Sequence, residues 1–339
     1  MPRVSILLPA FNAASTLERA VKSILQQTFE DWELLLIDDG STDGTKALIE
    51  MFASNDKRVR PVFFPENRGI VAALNAGWSE AKGEYIARMD ADDESHPDRL
   101  QKQAGFLDQH PGIALVASRV RHGGDGEAQK GYALYIDWIN SLLTPEEIFL
   151  NRFVESPFAH PSVMFRKKNA ELFGMYREGD FPEDYELWLR WLEQDLRMAK
   201  LPDVLLTWHD PPARLSRTGA RYSPEAFHRC KSVYLAEHLR RHVLPSGKAI
   251  WLCGAGRVTR QRSAFLREQK IPVAGYVDVD AKKIGKQFDG LTVISLEGLP
   301  PAGKFFAISY VGNRGARAQI RSDFAQRGLV EGTDFLFAQ

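Results

Sequence analysis

The chain has 339 residues, of which 44% are hydrophobic and 26% are charged. This length and composition indicate a globular protein with two domains, or one large domain with an appendage. Lysine plus arginine and aspartate plus glutamate both number 44, so the formal net charge is zero. A neutral chain lacks the basic excess of a non-specific nucleic-acid binder. Cys230 and Cys253 are too few and too isolated for a disulfide framework or a zinc site.

The sequence also argues against membrane insertion and export. No apolar run approaches the roughly 20 residues that span a bilayer. The beginning of the chain, MPRVSILLPAFN, lacks the three-part organisation of a signal peptide. We therefore expect a soluble protein of a reducing compartment, the cytoplasm.

Strand and helix patterns alternate from the beginning of the chain to about residue 120. Val4 to Leu8 is a continuous apolar run, typical of a strand buried on both faces. Ser15 and Glu18 have capping-box spacing ahead of a helical apolar stripe. The other predicted elements are strands at Trp32–Ile37, Val59–Phe64 and Tyr85–Met89 and helices at Ala47–Phe52 and Gly69–Ala81. Repeated β-α-β units predict a mostly parallel α/β sheet that binds ligands beyond the carboxyl ends of its strands.

The alternation of strand and helix patterns becomes less regular after residue 120, and a second β-α-β pattern begins near residue 247. Between the two lie a glycine-rich charged segment at 121–131 and a proline- and arginine-rich segment at 210–224. The elements predicted here are helices opened by Thr144 and at Glu183–Leu192 and Phe227–Leu244, and a strand at Ser162–Phe165. We expect a first domain at 1–224, a helical linker at 225–246 and a small second α/β domain at 247–339.

Two acidic clusters follow strands of the first pattern. Asp38-Asp39 ends one strand, and Asp90-Ala91-Asp92-Asp93 ends the strand YIARM. Exposed carboxylates two residues apart in a turn can face one point, which suits Mg²⁺ or Mn²⁺ together with phosphate oxygens. The alternative interpretation is a solvated acidic turn that caps the next helix.

In these segments the sequence resembles the GT-A-fold glycosyltransferases of family 2. The matching stretches are VSILLPAFNAASTLERAVKSILQQTF, WELLLIDDGSTDGT and NRGIVAALNAGWSEAKGEYIARMDADD. The resemblance covers roughly residues 3–210, and four motifs occur in the order of the family. It implies a GT-A nucleotide-diphospho-sugar transferase fold and an enzyme that uses a nucleotide-sugar donor.

The resemblance also assigns residues to the nucleotide base of the donor. Pro9 and Phe11 would flank the base, with Asn12 nearby, and Asp39 would accept hydrogen bonds from it, typically from uracil. Each has a structural alternative, as Pro9 simply ends a strand.

The same resemblance assigns three other residues to the ribose, the diphosphate and the metal. Arg68 would lie near the ribose and phosphates, Asp90 would contact the ribose, and Asp92 would bind the Mn²⁺ or Mg²⁺ that bridges the diphosphate. As an alternative, Arg68 is a surface charge within a turn made by Asn67 and Gly69.

A third acidic segment, FPEDYELWLR, looks like the Glu-Asp motif of the family. The motif implies that Asp184 is the general base of an inverting transfer, because the acceptor hydroxyl must lose a proton as it attacks the anomeric carbon. Glu183 would position Asp184 or contact the acceptor. Alternatively, both acids only complement the dipole of a helix N-terminus. Trp188 and Trp191 fit core packing better than sugar stacking.

Basic residues near the end of the first domain have two interpretations each. His209 would be a metal ligand, or a polar residue near the diphosphate. Arg217, with Arg214 and Ser216, would close over the donor phosphates, or lie on the surface as ordinary charges. His160 fits a structural role better than the acceptor side.

The second domain contains a partial dinucleotide fingerprint. Gly254 and Gly256 follow a predicted strand, Thr259 replaces the expected third glycine, and Asp278 would meet a ribose hydroxyl. The segment resembles small Rossmann-like domains found with sugar acyltransferases and nucleotide-sugar enzymes. It implies a binding or structural module with an unidentified nucleotide; a nicotinamide-dependent oxidoreductase is the alternative.

The resemblance to family 2 glycosyltransferases, together with these motifs, implies an inverting, metal-dependent enzyme in polysaccharide or glycoconjugate synthesis. Its partners would be a nucleotide-sugar donor, expected to be a UDP-sugar, and a saccharide or lipid-linked acceptor. The basic helix Phe227–Leu244 fits packing between domains; as an alternative, with a lipid-linked acceptor, it would allow weak peripheral contact with the inner face of the membrane. The competing hypothesis is a non-catalytic nucleotide-sugar-binding or scaffold protein, or a bifunctional protein with a nucleotide-dependent C-terminal domain.

Overall fold

The computed structural model describes residues 1–124, 130–210, 217, 219–313 and 315–339. The chain forms two compact units, and each is built from separate stretches of sequence. The first unit comprises Met1–Ile148, Pro157–Gly179 and Gln194–Thr218. The second comprises Phe149–Ser156, Asp180–Glu193 and Gly219–Gln339.

An eight-stranded sheet forms the centre of the first unit. Its strands lie in the order β3-β2-β1-β4-β7-β6-β8-β5. The four from β3 to β4 are parallel, as are β6 and β8, whereas β7 and β5 run antiparallel to their neighbours. The strands are β1 (Val4–Ala10), β2 (Trp32–Asp38), β3 (Val59–Phe63), β4 (Tyr85–Arg88), β5 (Glu94–Ser95), β6 (Ile113–His122), β7 (Met164–Arg166) and β8 (Arg197–Trp208).

Helices connect these strands along the chain. Helix α1 buries Leu17, Val21 and Ile24, the apolar stripe expected from the sequence. The helices are α1 (Leu17–Leu25), α2 (Thr45–Asn55), α3 (Ile70–Glu80), α4 (Arg99–Gln109), α5 (Lys130–Ser141), α6 (Pro145–Asn151) and α7 (Lys167–Phe173).

The core of the first unit explains why polar residues gather at one edge of its sheet. Every residue of β1 and β2 is buried, so these strands are held on both faces by apolar packing. A fully buried leucine or isoleucine contributes about 1.5–3 kcal/mol, which fixes the strand positions firmly. Because β1, β2 and β4 are parallel, the segments after Ala10, Asp38 and Arg88 leave the sheet at the same edge.

The second unit has its own sheet of six strands, in the order β11-β12-β10-β9-β13-β14. The five strands from β12 to β14 are parallel. The strands are β9 (Ala249–Cys253), β10 (Val273–Val277), β11 (Gln287–Phe288), β12 (Leu291–Ile294), β13 (Phe305–Ser309) and β14 (Phe335–Phe337). The helices are α8 (Glu183–Leu192), α9 (Pro224–His238), α10 (Arg257–Glu268) and α11 (Ala316–Ala325).

Helix α8 packs with this second sheet through a shared apolar core. Tyr185 and Leu189 of α8 belong to the same buried cluster as Ile250 and Leu252 of β9. Trp188 and Trp191 are fully buried, which confirms core packing for both side chains. The compact units therefore follow different limits from the expected continuous domains at 1–224 and 247–339.

The expected fold class is confirmed: a mostly parallel α/β sheet in the first unit and a smaller α/β sheet in the second. Among the residues that the structure describes, no helix is both long and apolar enough to cross a bilayer. Both cysteines are buried with free thiols. Arg214 and Ser216, expected near the donor phosphates, lie outside the described residues.

Candidate active site

Three carboxylates converge after strand β4. One oxygen from each of Asp90, Asp92 and Asp93 lies within 4.8 Å of the others. Asp93 is buried, whereas Asp90 and Asp92 are partly exposed. Grouped carboxylate oxygens that remain open to solvent suit a hard divalent cation that also takes phosphate oxygens and water. The residues therefore fit the Mn²⁺ or Mg²⁺ that the sequence predicts.

Two buried arginines lie beneath this acidic cluster. Arg88 Nη2 is 2.5 Å from Asp90 Oδ1, and its side chain is only 3% exposed. Arg99 Nη2 donates to the carbonyl of Arg88 at 2.6 Å. Burial lowers the pKa of Arg99 to about 9, while the charge of Asp93 counteracts that shift. The positive charges of both arginines oppose the repulsion between the carboxylates, and Arg88 orients Asp90.

His209 lies beside the cluster, as expected, but its ring already has a partner. Its backbone N–H donates to Asp93 Oδ1 at 2.8 Å. Its Nε2 is 2.9 Å from Glu94 Oε1, and Arg19 Nε lies 3.4 Å from the same oxygen. The arrangement holds His209 against the acidic residues, and metal binding through Nε2 would require it to leave Glu94.

The end of β1 carries three residues predicted to surround the base. Pro9 is buried within the strand, whereas the Phe11 side chain is 48% exposed and thus accessible to a planar ring. Asn12 has a φ of 48°, a left-handed conformation that asparagine tolerates. Its Oδ1 accepts the backbone N–H of Thr42 at 2.9 Å, so Asn12 links the segments that follow β1 and β2.

Asp39 holds the loop that carries Arg68. Its carboxylate accepts hydrogen bonds from Asn67 Nδ2 at 3.1 Å, Arg68 N–H at 2.7 Å and Gly69 N–H at 2.9 Å. Burial raises the pKa of Asp39, although these backbone hydrogen bonds oppose that shift. Gly40 has a φ of 71°, and a Cβ there would lie 2.3 Å from the Glu66 carbonyl carbon. The β2 end and the Arg68 loop therefore form one packed turn.

Arg217 and His160 both have protein partners within the first unit. Arg217 Nε lies 2.9 Å from Asp210 Oδ1 in a two-point ion pair, although Arg217 itself is exposed. His160 is buried, and its Nε2 is 2.7 Å from the Tyr176 hydroxyl. The contact of His160 agrees with the structural role expected for it.

The Glu-Asp pair begins helix α8 in the second unit. Glu183 is 3% exposed, and its Oε2 accepts the Tyr222 hydroxyl at 2.7 Å. Arg221 lies 3.9 Å from the same oxygen. Burial raises the pKa of Tyr222, and the adjacent Glu183 carboxylate raises it further. Asp184 is the more exposed of the two acids, and its Oδ1 accepts the Tyr185 N–H at 2.7 Å.

A second group of potential metal ligands, Glu193, His238 and His242, occurs in the second unit. Arg152 Nη2 lies 3.3 Å from Glu193 Oε1 and 3.1 Å from His238 Nδ1. Burial lowers the pKa of His238 to about 3, so the ring is neutral. The buried guanidinium supplies the positive charge in this group, which makes it a structural ion pair.

The glycine turn of the second unit is hydrogen-bonded to Asp278, the residue predicted to contact a ribose. Gly254 has a φ of 89°, and a Cβ there would lie 2.7 Å from Val311 Cγ2. Asp278 accepts the Ala255 N–H at 2.7 Å and Lys283 Nζ at 3.1 Å. Burial raises the pKa of Asp278, but these hydrogen bonds outweigh it and leave that pKa low. Gly256 is the N-cap residue of helix α10, and its backbone is extended.

Sequence reasoning gave no role to Arg88, Asp93 or Tyr222. A charged residue within the apolar strand YIARM was the available signal for Arg88, and Asp93 extends the acidic cluster itself. Nothing in the local sequence marks Tyr222, because its contact with Glu183 is made between distant segments.

Comparison with known proteins agrees with this geometry. Residues 5–173 match the family described as Glycosyl transferase family 2. The putative glycosyltransferase EpsE of Bacillus subtilis is 30% identical over 255 residues, which cover 74% of this chain and 87% of EpsE. The chain belongs to glycosyltransferase family 2. It is therefore an enzyme of the transferase class.

Other relatives match a smaller part of this chain, and the similar solved structures have a lower sequence identity to it. The amylovoran biosynthesis glycosyltransferase AmsE of Erwinia amylovora is 30% identical over 60% of this chain and 74% of its own length. The structure of S. aureus TarS 1-349 in complex with UDP-GlcNAc has a TM-score of 0.56, with 18% identity over 78% of this chain and 71% of the 1-349 chain. A Pyrobaculum calidifontis mannosyltransferase in complex with GDP-Man and Mn2+ has a TM-score of 0.51, with 21% identity over 71% of this chain and 64% of that one. These similarities confirm the GT-A fold.

Proposed function

We propose that this chain is an inverting, metal-dependent glycosyltransferase that moves a sugar from a UDP-sugar donor to an acceptor hydroxyl in polysaccharide or glycoconjugate synthesis. The observation that carries the proposal is the convergence of Asp90, Asp92 and Asp93 beyond β4. The named role of AmsE in amylovoran biosynthesis supports the polysaccharide assignment. UDP-GlcNAc in TarS and Mn2+ in the mannosyltransferase support the donor and the metal.

The first unit supplies the donor-binding groups. Asp92, with Asp93 and Asp90, would hold the divalent cation, which neutralises the developing charge of the leaving diphosphate. The exposed ring of Phe11 is accessible to the base. Asp39 would accept a hydrogen bond from the base, and it also holds the loop that carries Arg68 through its hydrogen bond with the Arg68 N–H. Arg68 then provides a guanidinium for a donor phosphate.

Asp184 takes the proton from the acceptor hydroxyl in this proposal. It is more exposed than Glu183, which is buried and bound by Tyr222. Its place in the first turn of α8 favours the ionised carboxylate that a base requires. Attack on the face opposite to the leaving diphosphate inverts the anomeric configuration, without a covalent enzyme intermediate.

The glycine turn of the second unit has a structural role in this proposal. Asp278, the residue that would reach a ribose, binds Ala255 of its own turn and Lys283. These contacts support a module that stabilises its own fold, rather than a nucleotide-dependent oxidoreductase.

Calorimetric titration with UDP, GDP and TDP, first with Mn²⁺ and then with EDTA, tests the donor assignment. We expect UDP to bind only with the metal, and Asp92→Asn to abolish this binding. Asp184→Asn should abolish sugar transfer and leave UDP affinity unchanged. Metal-independent binding of UDP, or equal loss of binding and transfer in Asp184→Asn, would contradict the proposal.

A further inference from the structure

The strand order of the second sheet reverses at β9. From β9 the chain moves outward through β10 to β12, and it then returns to the other side of β9 with β13 and β14. These five strands are parallel, so their carboxyl ends lie at one edge of the sheet. The segments after β9 and β13 meet there, because a Cβ at Gly254 would lie 2.7 Å from Val311 Cγ2. Open α/β sheets bind their ligands outside the carboxyl ends of the strands at such a point of reversal.

Two basic side chains lie near this point in the second unit. Arg262 of α10 reaches the segment after β13, where a Cβ at Gly312 would lie 2.8 Å from Arg262 Nη1. Arg262 makes no hydrogen bond and no close ion pair with any residue that the structure describes. Lys231 of α9 is 2% exposed, and its Nζ donates to the carbonyl of Val154 at 3.0 Å. This bond uses one of the three donors of the ammonium group.

Helix α9 turns one polar face toward the same edge of the sheet. His228, Lys231 and Ser232 lie within one turn of each other, and all three are buried. Burial raises the pKa of Tyr310, which directly follows β13, and the adjacent Ser232 hydroxyl opposes that shift. His228 is 7% exposed, and its Nδ1 is buried without a hydrogen-bond partner in the described part of the chain. Such a nitrogen is unfavourable unless a ligand or water pairs with it.

The electrostatic effects on Glu155 and His228 show that these charged groups are neighbours. Burial raises the pKa of Glu155, and the charges of Lys231 and Arg262 oppose that shift. Burial lowers the pKa of His228 to about 3, and the same two cations lower it further, so the ring is neutral. Burial lowers the pKa of Lys231 to about 8, which leaves the lysine mainly charged at pH 7. We call Glu155, His228, Lys231 and Arg262 the β13 cluster; it holds two cations and one carboxylate.

The chemistry of the β13 cluster matches a ligand with both a phosphate and hydroxyl groups. A positive charge that is withdrawn from water is unfavourable without a counterion. Arginine and lysine both bind phosphate oxygens through charge-assisted hydrogen bonds. The Glu155 carboxylate would repel a phosphate, but it accepts hydrogen bonds from hydroxyl groups, as does the unpaired nitrogen of His228. A bare phosphate ion would therefore use only the basic half of the cluster.

We propose that the β13 cluster binds a small hydroxylated phosphomonoester, with its phosphate on Arg262 and Lys231 and its hydroxyl groups on Glu155 and His228. The inference goes beyond the proposed function, because it gives the second unit a ligand of its own. It also leaves the glycine turn in its structural role, since Asp278 stays bound to the Ala255 N–H. A sugar phosphate and a nucleoside monophosphate share the required chemistry.

Calorimetric titration of the full chain in EDTA tests this site, because the proposed donor site requires a metal. The probes are inorganic phosphate, glycerol phosphate, glucosyl phosphate and UMP. Arg262→Gln removes the cation without breaking a hydrogen bond, and Glu155→Gln removes the carboxylate. His228→Phe removes the ring nitrogen and keeps an aromatic ring. Arg229→Gln is the matched control, because Arg229 of α9 is 61% exposed and pairs with Glu268.

We expect at least one of the three esters to bind at least fivefold more tightly than inorganic phosphate, and the tightest identifies the source of the ligand. Arg262→Gln should weaken the binding of that ester at least tenfold, and Arg229→Gln should bind it as the native chain does. Glu155→Gln and His228→Phe should each reduce the advantage of the ester over inorganic phosphate. If no ester binds the native chain, or if a folded Arg262→Gln protein binds as well as the native chain, the inference is overturned. An equal affinity for inorganic phosphate and all three esters overturns it as well.

Discussion

The guanidinium of Arg88 lies 2.5 Å from a carboxylate oxygen of Asp90, so one acid of the cluster is already paired beneath the proposed metal site. Arg88 is 3% exposed in its side chain, whereas Asp90 is 23% exposed. The core fixes the buried Arg88 side chain, and Arg88 in turn orients the more accessible Asp90 carboxylate. Asp90 therefore enters the proposed metal site, beside Asp92 and Asp93, with its direction set by Arg88.

Replacing Arg88 with methionine should release Asp90 and remove a positive charge beside the cluster. We expect tighter binding of Mn²⁺ in the absence of nucleotide, by several-fold, because the local potential becomes more negative. We expect UDP affinity in Mn²⁺ to fall by about tenfold, which corresponds to roughly 1.4 kcal/mol. Titration of Mn²⁺ alone and of UDP with Mn²⁺ measures both quantities.

A double-mutant cycle shows whether Arg88 acts through Asp90. In an Asp90→Asn background, Arg88→Met should add no further loss of UDP affinity. Arg88→Lys retains the charge and should preserve the native Mn²⁺ affinity. Additive losses in the double variant would mean that Arg88 only supports the strand.

Asp39→Ala should loosen the loop from Asn67 to Gly69. The carboxylate accepts three hydrogen bonds from that loop, and their loss displaces Arg68. One hydrogen bond to a charged group contributes about 1.5–3 kcal/mol, and the cost of burying the Asp39 carboxylate offsets part of the three, so the free energy of unfolding should fall by roughly the amount of one such bond. UDP affinity should fall as well, and calorimetry with urea unfolding measures both.

Asp43→Ala is a matched control for Asp39→Ala. Asp43 also binds backbone N–H groups, those of Ala14 and Thr45, but it does not contact the Arg68 loop. It should lower stability and leave UDP affinity unchanged. An equal loss of UDP affinity in both variants would show a general effect of loop disorder.

The sequence was sufficient to predict the donor-side strands and the acidic cluster, because both depend on local patterns. Val4 to Leu8 and Trp32 to Ile37 are continuous apolar runs, and the clusters follow strands directly. Parallel strands bring such segments to one edge whatever their distant neighbours are. The use of Asp39 as a loop anchor could not be predicted, because its partners depend on how the loop at Asn67 folds back.

Which segments of the chain belong to the second unit depends on long-range packing. Local sequence patterns carry no information about that packing. Helix α8 has an ordinary amphipathic pattern, and nothing in it indicates which sheet it covers. Only the structure shows Tyr185 and Leu189 in one core with Ile250 and Leu252. The same limit explains why Tyr222 was not predicted as the partner of Glu183.

Tyr222→Phe should lower the rate of transfer without changing donor affinity. The substitution removes the hydroxyl that donates to Glu183 Oε2 at 2.7 Å, and leaves a buried carboxylate short of a partner beside Asp184. Loss of a hydrogen bond of about 1 kcal/mol corresponds to a roughly fivefold lower kcat. Steady-state kinetics with the donor varied separates kcat from KM.

Tyr234→Phe is the matched control for Tyr222→Phe. Tyr234 donates to Glu186 one turn further along α8, where Arg190 also binds the carboxylate. Its kcat should stay close to the native value. A similar decrease in kcat in both variants would indicate that α8 responds to any loss of support, and Tyr222 would then have no specific role.

Lys200 should make the stability of the first unit depend on pH. The side chain is buried, and Nζ donates to the carbonyls of Ile139 and Pro157. Burial lowers the pKa of Lys200 to about 7, and the nearby charge of Arg119 lowers it further. In the unfolded chain the pKa is about 10.4. Between these two values the unfolded state holds the extra proton, so stability rises with pH across that window.

The expected slope from this one group is about 1.4 kcal/mol per pH unit between pH 7 and 10. Urea unfolding of the native chain and of Lys200→Met from pH 6 to 9.5 measures it, because methionine does not titrate. The difference in free energy of unfolding between the two should be constant below pH 7 and should shift in favour of the native chain above it. Lys167→Met is the control, since Lys167 also donates to a backbone carbonyl, that of Ala81, but its side chain is 27% exposed. A difference between native and Lys200→Met that stays flat up to pH 9.5 would mean that the lysine is charged in the folded protein.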